Sequence, residues 1–371
     1  MQKLCKIFSV NRIHYCFRNF TTVLPLYSSF EHSNFVRMPT SKISRILIAS
    51  VITLISLQLA SAQKIPAADK KILQAKEDSL KNLAATIILD SLTAGRMRAD
   101  SQFTKTLIRA LKVKNSFFYP FDSVQGVSKL YSPDSTFRIF TWNISFDDYY
   151  SRQRGAIQMR TADGSLQLIP LRDFSEFTTN AMDSVRNKTN WIGAVYYDIV
   201  KTAYNGKNYY TLIGFDNNSV MSNKKWIEVL TFDQKNEPVF GGAYFSFEKD
   251  SVKKPTQFRY CLEYKKEARA VLKYDDETKL IIVDHLISET DEPENKWTYV
   301  PDGDYEAFKW QNGKWVHIDK LYDYKLEDGQ APVGDPLLDP KGNRNEKKLE
   351  EKSNKNKEKG KGIDKPSEND Y

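Results

Sequence analysis

The stretch VYYDIVKTAYNGKNYYTLIGF, residues 195–215, decides the fold class of this chain. Two runs rich in tyrosine and β-branched residues flank the dipeptide Asn205-Gly206, and both runs have the composition of strands. Asn and Gly tolerate the positive φ angles that a two-residue hairpin turn requires. The stretch therefore predicts two antiparallel strands joined by a tight turn.

Similar turns recur on both sides of this hairpin. Two are dipeptides of the same kind, and two are longer; they lie at Asp163-Gly164, Asn312-Gly313, residues 233–238 and residues 275–278. Each separates two short runs rich in β-branched and aromatic residues. Because such short connections join neighbouring strands, the strands are expected to pair antiparallel rather than in βαβ units.

Residues 121–325 are thus predicted to form a mainly β, antiparallel domain of about eleven or twelve strands. A sandwich or a flattened barrel is the expected closure of such a hairpin-rich sheet. A small β-propeller is the alternative, since twelve strands could make three blades. The chain shows no internal repeat of blade length, which favours the sandwich or barrel.

Two amphipathic helices are predicted before this domain, in residues 63–120. The first begins near Ala67, and its apolar positions recur at helical spacing: Leu73, Leu80, Leu83 and Ile87. The second is capped by Asp100 or Ser101, and its apolar stripe advances in steps of four: Phe103, Leu107 and Leu111. Both stripes are expected to pack against the sheet.

Residues 38–62 have the pattern of a secretory signal peptide. Two cationic residues precede an apolar run of twelve residues, 46–57. A membrane-spanning helix needs roughly 20 apolar residues and a signal core about 7–15, so the run favours a cleaved signal. The small residues at its end predict cleavage between Ala62 and Gln63. We therefore expect an exported protein of the periplasm, the cell envelope or the extracellular space.

Residues 1–37 are interpreted as a non-native upstream extension. The competing interpretation keeps them and makes residues 46–60 a short membrane anchor, whereas cleavage leaves no integral membrane segment. Residues 1–62 carry seven Lys and Arg against one acidic residue, which is +6 of the net charge of +8. The remainder is close to neutral, so we expect no nucleic-acid partner.

The composition changes again in residues 326–371. Prolines spaced four apart are followed by a segment rich in Lys, Glu and Asn, which cannot form a core. We predict a linker and a disordered tail. Upstream of it, Cys261 is the one cysteine that follows the predicted cleavage site, so no internal disulfide is expected.

Several strand segments resemble a group of uncharacterised exported β-rich proteins of Bacteroidota-type bacteria. The segments are FRIFTW (137–142), GAIQMR (155–160), WIGAVYYDI (191–199), NYYTLIGFDNN (208–218), WIEVLTF (226–232), IIVDHL (281–286) and YVPDGDYEAF (299–308). The resemblance spans about residues 100–318. The resemblance implies export and the bounds of the β domain, and it implies no activity and no catalytic residue.

Familiar catalytic and cofactor motifs are missing from the sequence. Two histidines follow the predicted cleavage site, His285 and His317, and there is no HExxH, GxSxG, P-loop or GxGxxG. A three-histidine zinc site is therefore excluded within one chain, and we expect no cofactor. Cys261 alternates with aromatic residues in a strand, which favours an unreactive, partly buried thiol.

Five polar residues remain as candidates for a binding site: Asp284, His285, Asp302, Asp304 and Glu306. Side chains alternate along a strand, so Asp284 and His285 are expected to face opposite ways, with one of them buried beside a polar partner. The three acidic residues fall in what we predict to be a long turn. They could bind calcium or form a catalytic pair, although solvated turn residues are the expected interpretation.

Aromatic residues are abundant and often adjacent in the strand segments, as at 149–150, 196–197 and 209–210. Adjacent residues must place one ring on each face of a sheet, so the helices are expected to cover part of this surface. We expect a non-catalytic cell-envelope protein that binds a glycan, peptide or protein partner. The alternative is a carboxylate-dependent hydrolase acting on an envelope or environmental polymer.

Overall fold

The computed structural model describes residues 65–147, 149–321 and 350. The predicted signal peptide, its cleavage site at Ala62 and Gln63, and all of the predicted tail except Glu350 lie outside the described residues. Within them the chain forms two helices followed by a series of strands, and the antiparallel, mainly β fold is confirmed.

Helix α1 spans Ala67–Leu89 and helix α2 spans Thr93–Leu111. The predicted start of α2 was wrong, because Asp100 lies inside the helix instead of capping it. Its carboxylate is buried, and it accepts a hydrogen bond of 2.8 Å from Trp142 Nε1. Neither helix is apolar enough over sufficient length to cross a membrane, as far as the described residues go.

Fifteen strands are formed by the described residues. They are β1 Ser128–Tyr131, β2 Phe137–Ser145, β3 Ser151–Met159, β4 Gln167–Arg172, β5 Arg186–Asn187, β6 Val195–Tyr204, β7 Lys207–Asp216, β8 Ser222–Phe232, β9 Pro238–Phe240, β10 Phe245–Ser246, β11 Arg259–Lys265, β12 Leu272–Asp275, β13 Leu280–Ser288, β14 Tyr299–Gln311 and β15 Lys314–Ile318. The count exceeds the prediction because β5, β9 and β10 have only two or three residues, too few to show an alternating pattern.

The strands make three sheets. The first sheet has the order β1-β2-β3-β4, the second β5-β9-β8-β7-β6 with β11 also paired to β8, and the third β10-β15-β14-β13-β12. Almost all pairs are antiparallel, and the pairing of β10 with β15 is parallel. The described strands form no closed barrel, so the sandwich is the arrangement realised and the flattened barrel is not.

Three hydrophobic clusters show that these elements are stacked in four layers. One face of the first sheet packs against α1 and α2, in a cluster that includes Phe103, Leu107, Phe140 and Trp142. Its other face meets the second sheet, in a cluster that includes Ile139, Ile157, Tyr210 and Leu212. The far face of the second sheet meets the third, in a cluster that includes Tyr209, Ile213, Val283 and Phe308. The second sheet is therefore buried on both faces.

The predicted turns explain the hairpins within the sheets. Asn205 and Gly206 have φ angles of 48° and 73° and join Tyr204 to Lys207 as a two-residue turn. Asn312-Gly313 does the same between β14 and β15. The turn at Gly164 is longer than predicted, because pairing of β3 with β4 stops at Met159 and Gln167. The intervening loop is held by the Asn115 backbone N–H, which donates to the Gly164 carbonyl at 2.9 Å.

Candidate functional site

A β-bulge in the third sheet lies opposite His285, next to Asp284. The register between β13 and β14 shifts between Asp284 and Leu286, so three residues of β14, 302–304, lie opposite the single residue His285 of β13. Asp284 is buried, and its Oδ2 accepts a hydrogen bond of 2.7 Å from the Val271 backbone N–H. Burial raises the pKa of this carboxyl group. Asp284 is therefore the buried residue of the adjacent pair, and the Val271 backbone is its polar partner. The His285 side chain remains 39% exposed.

At the bulge, His285 lies close to two of the predicted carboxylates. His285 Nδ1 lies 2.8 Å from Asp302 Oδ2, and His285 Nε2 lies 4.0 Å from Glu306 Oε1. Burial raises the pKa of Asp302, but hydrogen bonds from the Asp304 backbone and His285 outweigh it and hold the pKa below its usual value. The sequence therefore identified three side chains that the fold brings together.

The predicted long turn around these carboxylates is wrong, because residues 302–306 lie within strand β14. Gly303, with a φ of 96°, interrupts the regular alternation of side chains there. Asp304 is accordingly not at His285: it is largely exposed, and its Oδ2 lies 3.6 Å from Lys320 Nζ. Of the five candidates, His285, Asp302 and Glu306 meet, and Asp284 and Asp304 have other contacts.

His317 of β15 joins the same group, although the sequence argument did not select it. Its side chain is 1% exposed, and its Nε2 lies 3.0 Å from Glu306 Oε2. On the other side of the ring, Nδ1 lies 2.8 Å from Asp250 Oδ2. Burial lowers the pKa of His317, but Glu306 and Asp250 outweigh this effect and raise it.

We call this arrangement the histidine–carboxylate cluster; it comprises Asp250, His285, Asp302, Glu306 and His317. Glu306 lies between the two imidazoles, so it connects an exposed histidine to a buried one. Two signals could have pointed to His317: the alternation in KWVHI, which puts it on the face of buried Trp315, and its strand's adjacency to β14. Asp250 lies in a loop, where no periodicity marks it.

A second candidate is a cleft between the first and second sheets, which we call the inter-sheet cleft. It has a volume of about 400 Å³, and its polar lining includes Arg152, Asp173, Asp216, Lys224 and Glu263. Trp226 and Cys261 add aromatic and thiol surface to the wall. The sequence argument selected none of these residues for a site, because they come from four separate strands and a loop.

Two buried carboxylates in the lining of the inter-sheet cleft are held in place by hydrogen bonds. Asp173 accepts hydrogen bonds from the backbone N–H groups of Gln153 at 3.0 Å and Ser175 at 3.0 Å. Asp216 accepts from Gln153 Nε2 at 2.8 Å, and burial raises its pKa. The Trp226 indole N–H is close enough to Asp216 to lower that pKa in part, yet it forms no hydrogen bond of normal geometry with any described residue.

Cys261 lies in β11 at the edge of the inter-sheet cleft. Burial is the main cause that raises the pKa of its thiol well above the ordinary value. The thiolate is the nucleophilic form of cysteine, so this environment suppresses reactivity. The predicted unreactive thiol agrees with this environment.

Comparisons with protein-family models, with curated proteins and with solved structures return no match. Function has to be inferred from the chemistry of the inter-sheet cleft and the histidine–carboxylate cluster.

Proposed function

We propose that this protein is an exported cell-envelope component whose β domain binds a small glycan in the inter-sheet cleft without cleaving it. Export is inferred from the signal-like pattern of residues 38–62. The observation that carries the binding proposal is the polar, preformed cleft of about 400 Å³ between two sheets. Its volume falls within the roughly 300–1,000 Å³ range of small-molecule sites.

The lining favours an uncharged ligand rich in hydroxyl groups. Arg152 and Lys224 can donate hydrogen bonds, and the lining carboxylates can accept them, so the wall offers both kinds of group. Four carboxylates face two cationic side chains, and this excess of negative charge disfavours an anionic ligand. A hydroxyl group both donates and accepts, which matches such a mixed surface. Trp226 adds the aromatic surface on which a sugar ring can pack.

Calorimetric titration with soluble oligosaccharides and peptidoglycan fragments tests this proposal. Arg152→Gln removes a cationic donor from the cleft, and the loss of a charged hydrogen bond is expected to weaken binding about tenfold or more. Arg160→Gln is the matched control, because Arg160 follows the opposite end of β3, is not part of the cleft lining and packs over the Phe118 ring instead. Binding that is absent from the whole panel, or is unchanged in Arg152→Gln, would refute the proposal.

A carboxylate-dependent hydrolase is the second candidate, and one observation favours it. The partly exposed His285 is oriented by Asp302 at Nδ1, and Glu306 lies near its Nε2. A histidine held beside carboxylates in this way is typical of general acid–base catalysis. The test is turnover of the same oligosaccharides by Asp302→Asn, with Asp304→Asn as the control on the same strand. Turnover by the wild type that is lost only in Asp302→Asn would establish the hydrolase and contradict binding without cleavage.

A further inference from the structure

One end of the third sheet gathers three metal-ligating side chains. Asp250 follows β10, whereas His317 and Asp319 lie at the end of β15. The donor atoms of these three residues all lie within 4.8 Å of one another. We propose that Asp250, His317 and Asp319 bind a divalent transition-metal ion, and that Zn²⁺ is a suitable probe. This site is independent of the glycan proposal, because it shares no residue with the inter-sheet cleft.

The hydrogen bond on the far side of His317 supports this assignment. His317 Nε2 lies 3.0 Å from Glu306 Oε2, so a proton on Nε2 can be donated to that carboxylate. A metal-bound histidine commonly donates its other N–H to a carboxylate, which fixes the tautomer and the ring orientation. Nδ1 then presents its lone pair to the side where Asp250 and Asp319 lie.

The donors lie close to the spacing that ligation requires. His317 Nδ1 and Asp250 Oδ2 are 2.8 Å apart. Two ligand atoms bound tetrahedrally to one ion at about 2.0–2.2 Å lie roughly 3.3–3.6 Å from each other, so these two donors need to separate by less than about 1 Å. Asp319 is exposed, whereas the other two residues are buried, so the ion would enter from the solvent side at Asp319.

The charge of the site is the independent argument for a cation. Three carboxylates, Asp250, Glu306 and Asp319, surround the one imidazole of His317, and no Lys or Arg forms a salt bridge with them among the described residues. Asp250 is only 4% exposed, and its Oδ1 accepts no hydrogen bond from the described part of the chain. A buried anionic oxygen without a partner is costly, and a bound cation would remove that cost.

The donor set selects the class of ion. An imidazole nitrogen with carboxylate oxygens suits zinc and its first-row neighbours, whereas Ca²⁺ and Mg²⁺ prefer sites built from oxygen alone. We therefore expect Zn²⁺ to bind with a stoichiometry of one and to raise the melting temperature of the chelator-treated protein. Mg²⁺ should produce no comparable shift.

The experiment is calorimetric titration of chelator-treated full-length protein with ZnCl₂, together with its melting temperature. Asp319→Asn should fold, since the residue is exposed, and it should weaken Zn²⁺ binding by about tenfold or more. Asp304→Asn is the matched control, because this exposed carboxylate of the adjacent strand contacts Lys320 instead. It should bind Zn²⁺ like the wild type.

Three results would overturn the assignment. They are the absence of saturable Zn²⁺ binding by the wild type, equal affinity in Asp319→Asn and the wild type, and equal weakening by Asp319→Asn and Asp304→Asn. Loss of Zn²⁺ binding in Asp319→Asn has no bearing on glycan binding, so the two proposals can fail separately.

Discussion

Replacement of Asp100 by alanine should detach part of α2 from the first sheet. Asp100 is 3% exposed, and its carboxylate accepts hydrogen bonds from Trp142 Nε1 at 2.8 Å and Arg154 Nε at 3.1 Å. Trp142 is itself buried and packs edge-on against Phe103 of the helix, with ring centroids 5.2 Å apart. The carboxylate is thus a buried polar link between α2 and the first sheet.

The magnitude follows from what each partner loses. Leaving the buried Trp142 N–H without an acceptor costs about 1–3 kcal/mol. The Arg154 side chain is 43% exposed, so its ion pair contributes less than about 1 kcal/mol. Asp100→Ala should therefore lower the free energy of unfolding by about 1–4 kcal/mol. In a domain of this size that is a fall in Tm of roughly 2–16 °C.

The matched variant is Asp100→Asn, whose amide oxygen can still accept from the indole. It should lose only the charge interaction with Arg154, about 1 kcal/mol or less. Guanidinium unfolding followed by circular dichroism measures both variants against the wild type. Equal destabilisation by Asp100→Ala and Asp100→Asn, or none by either, would refute this account of the interface.

Three other predictions concern the turns, the sheet contacts and the thiol. Burial raises the pKa of Asp134, but hydrogen bonds, that from Tyr210 Oη first among them, outweigh burial and hold the pKa below its ordinary value. The carboxylate therefore stabilises the fold above pH about 4, and this stabilisation is lost as the pH falls. Urea unfolding should show Asp134→Asn destabilising at pH 7 and progressively less below pH 4; a constant difference would contradict this. Gly206→Ala should cost about 1 kcal/mol in thermal unfolding through its φ of 73° alone, because its Cβ would meet no atom within 4 Å. Cys261 should react with iodoacetamide far more slowly in native than in unfolded protein by mass spectrometry, and equal rates would disprove its protection.

Local chemistry explains why the hairpins were predictable. Asn205-Gly206 and Asn312-Gly313 specify positive φ angles by themselves, so the turn and the pairing of its strands follow from a few adjacent residues. The start of α2 was missed for the opposite reason. It has no side-chain cap, and Arg96 instead holds the start by donating to the carbonyls of Ser145 and Phe146, about fifty residues away.

The layered arrangement depends on contacts that no short window contains. Alternation predicts that Tyr209 and Tyr210 face opposite ways, but it does not say that each ring enters a different core between sheets. The same limit applies to the sites. The bulge at residues 302–304 is visible only once β13 is paired with β14, and Asp250 reaches His317 across 67 positions of sequence.

The central claim is that a glycan occupies the inter-sheet cleft, and Trp226 reports on it directly. Its indole N–H has no hydrogen-bond partner of normal geometry among the described residues, whereas those of Trp142 and Trp315 are bonded to Asp100 and Thr211. The measurement is a ¹⁵N–¹H correlation spectrum of the indole groups during titration with the tightest-binding soluble oligosaccharide, with Trp226 assigned by substitution with phenylalanine. The account predicts a saturable shift of the Trp226 resonance with the other two unmoved. A Trp226 resonance that stays in place while the oligosaccharide binds would contradict it.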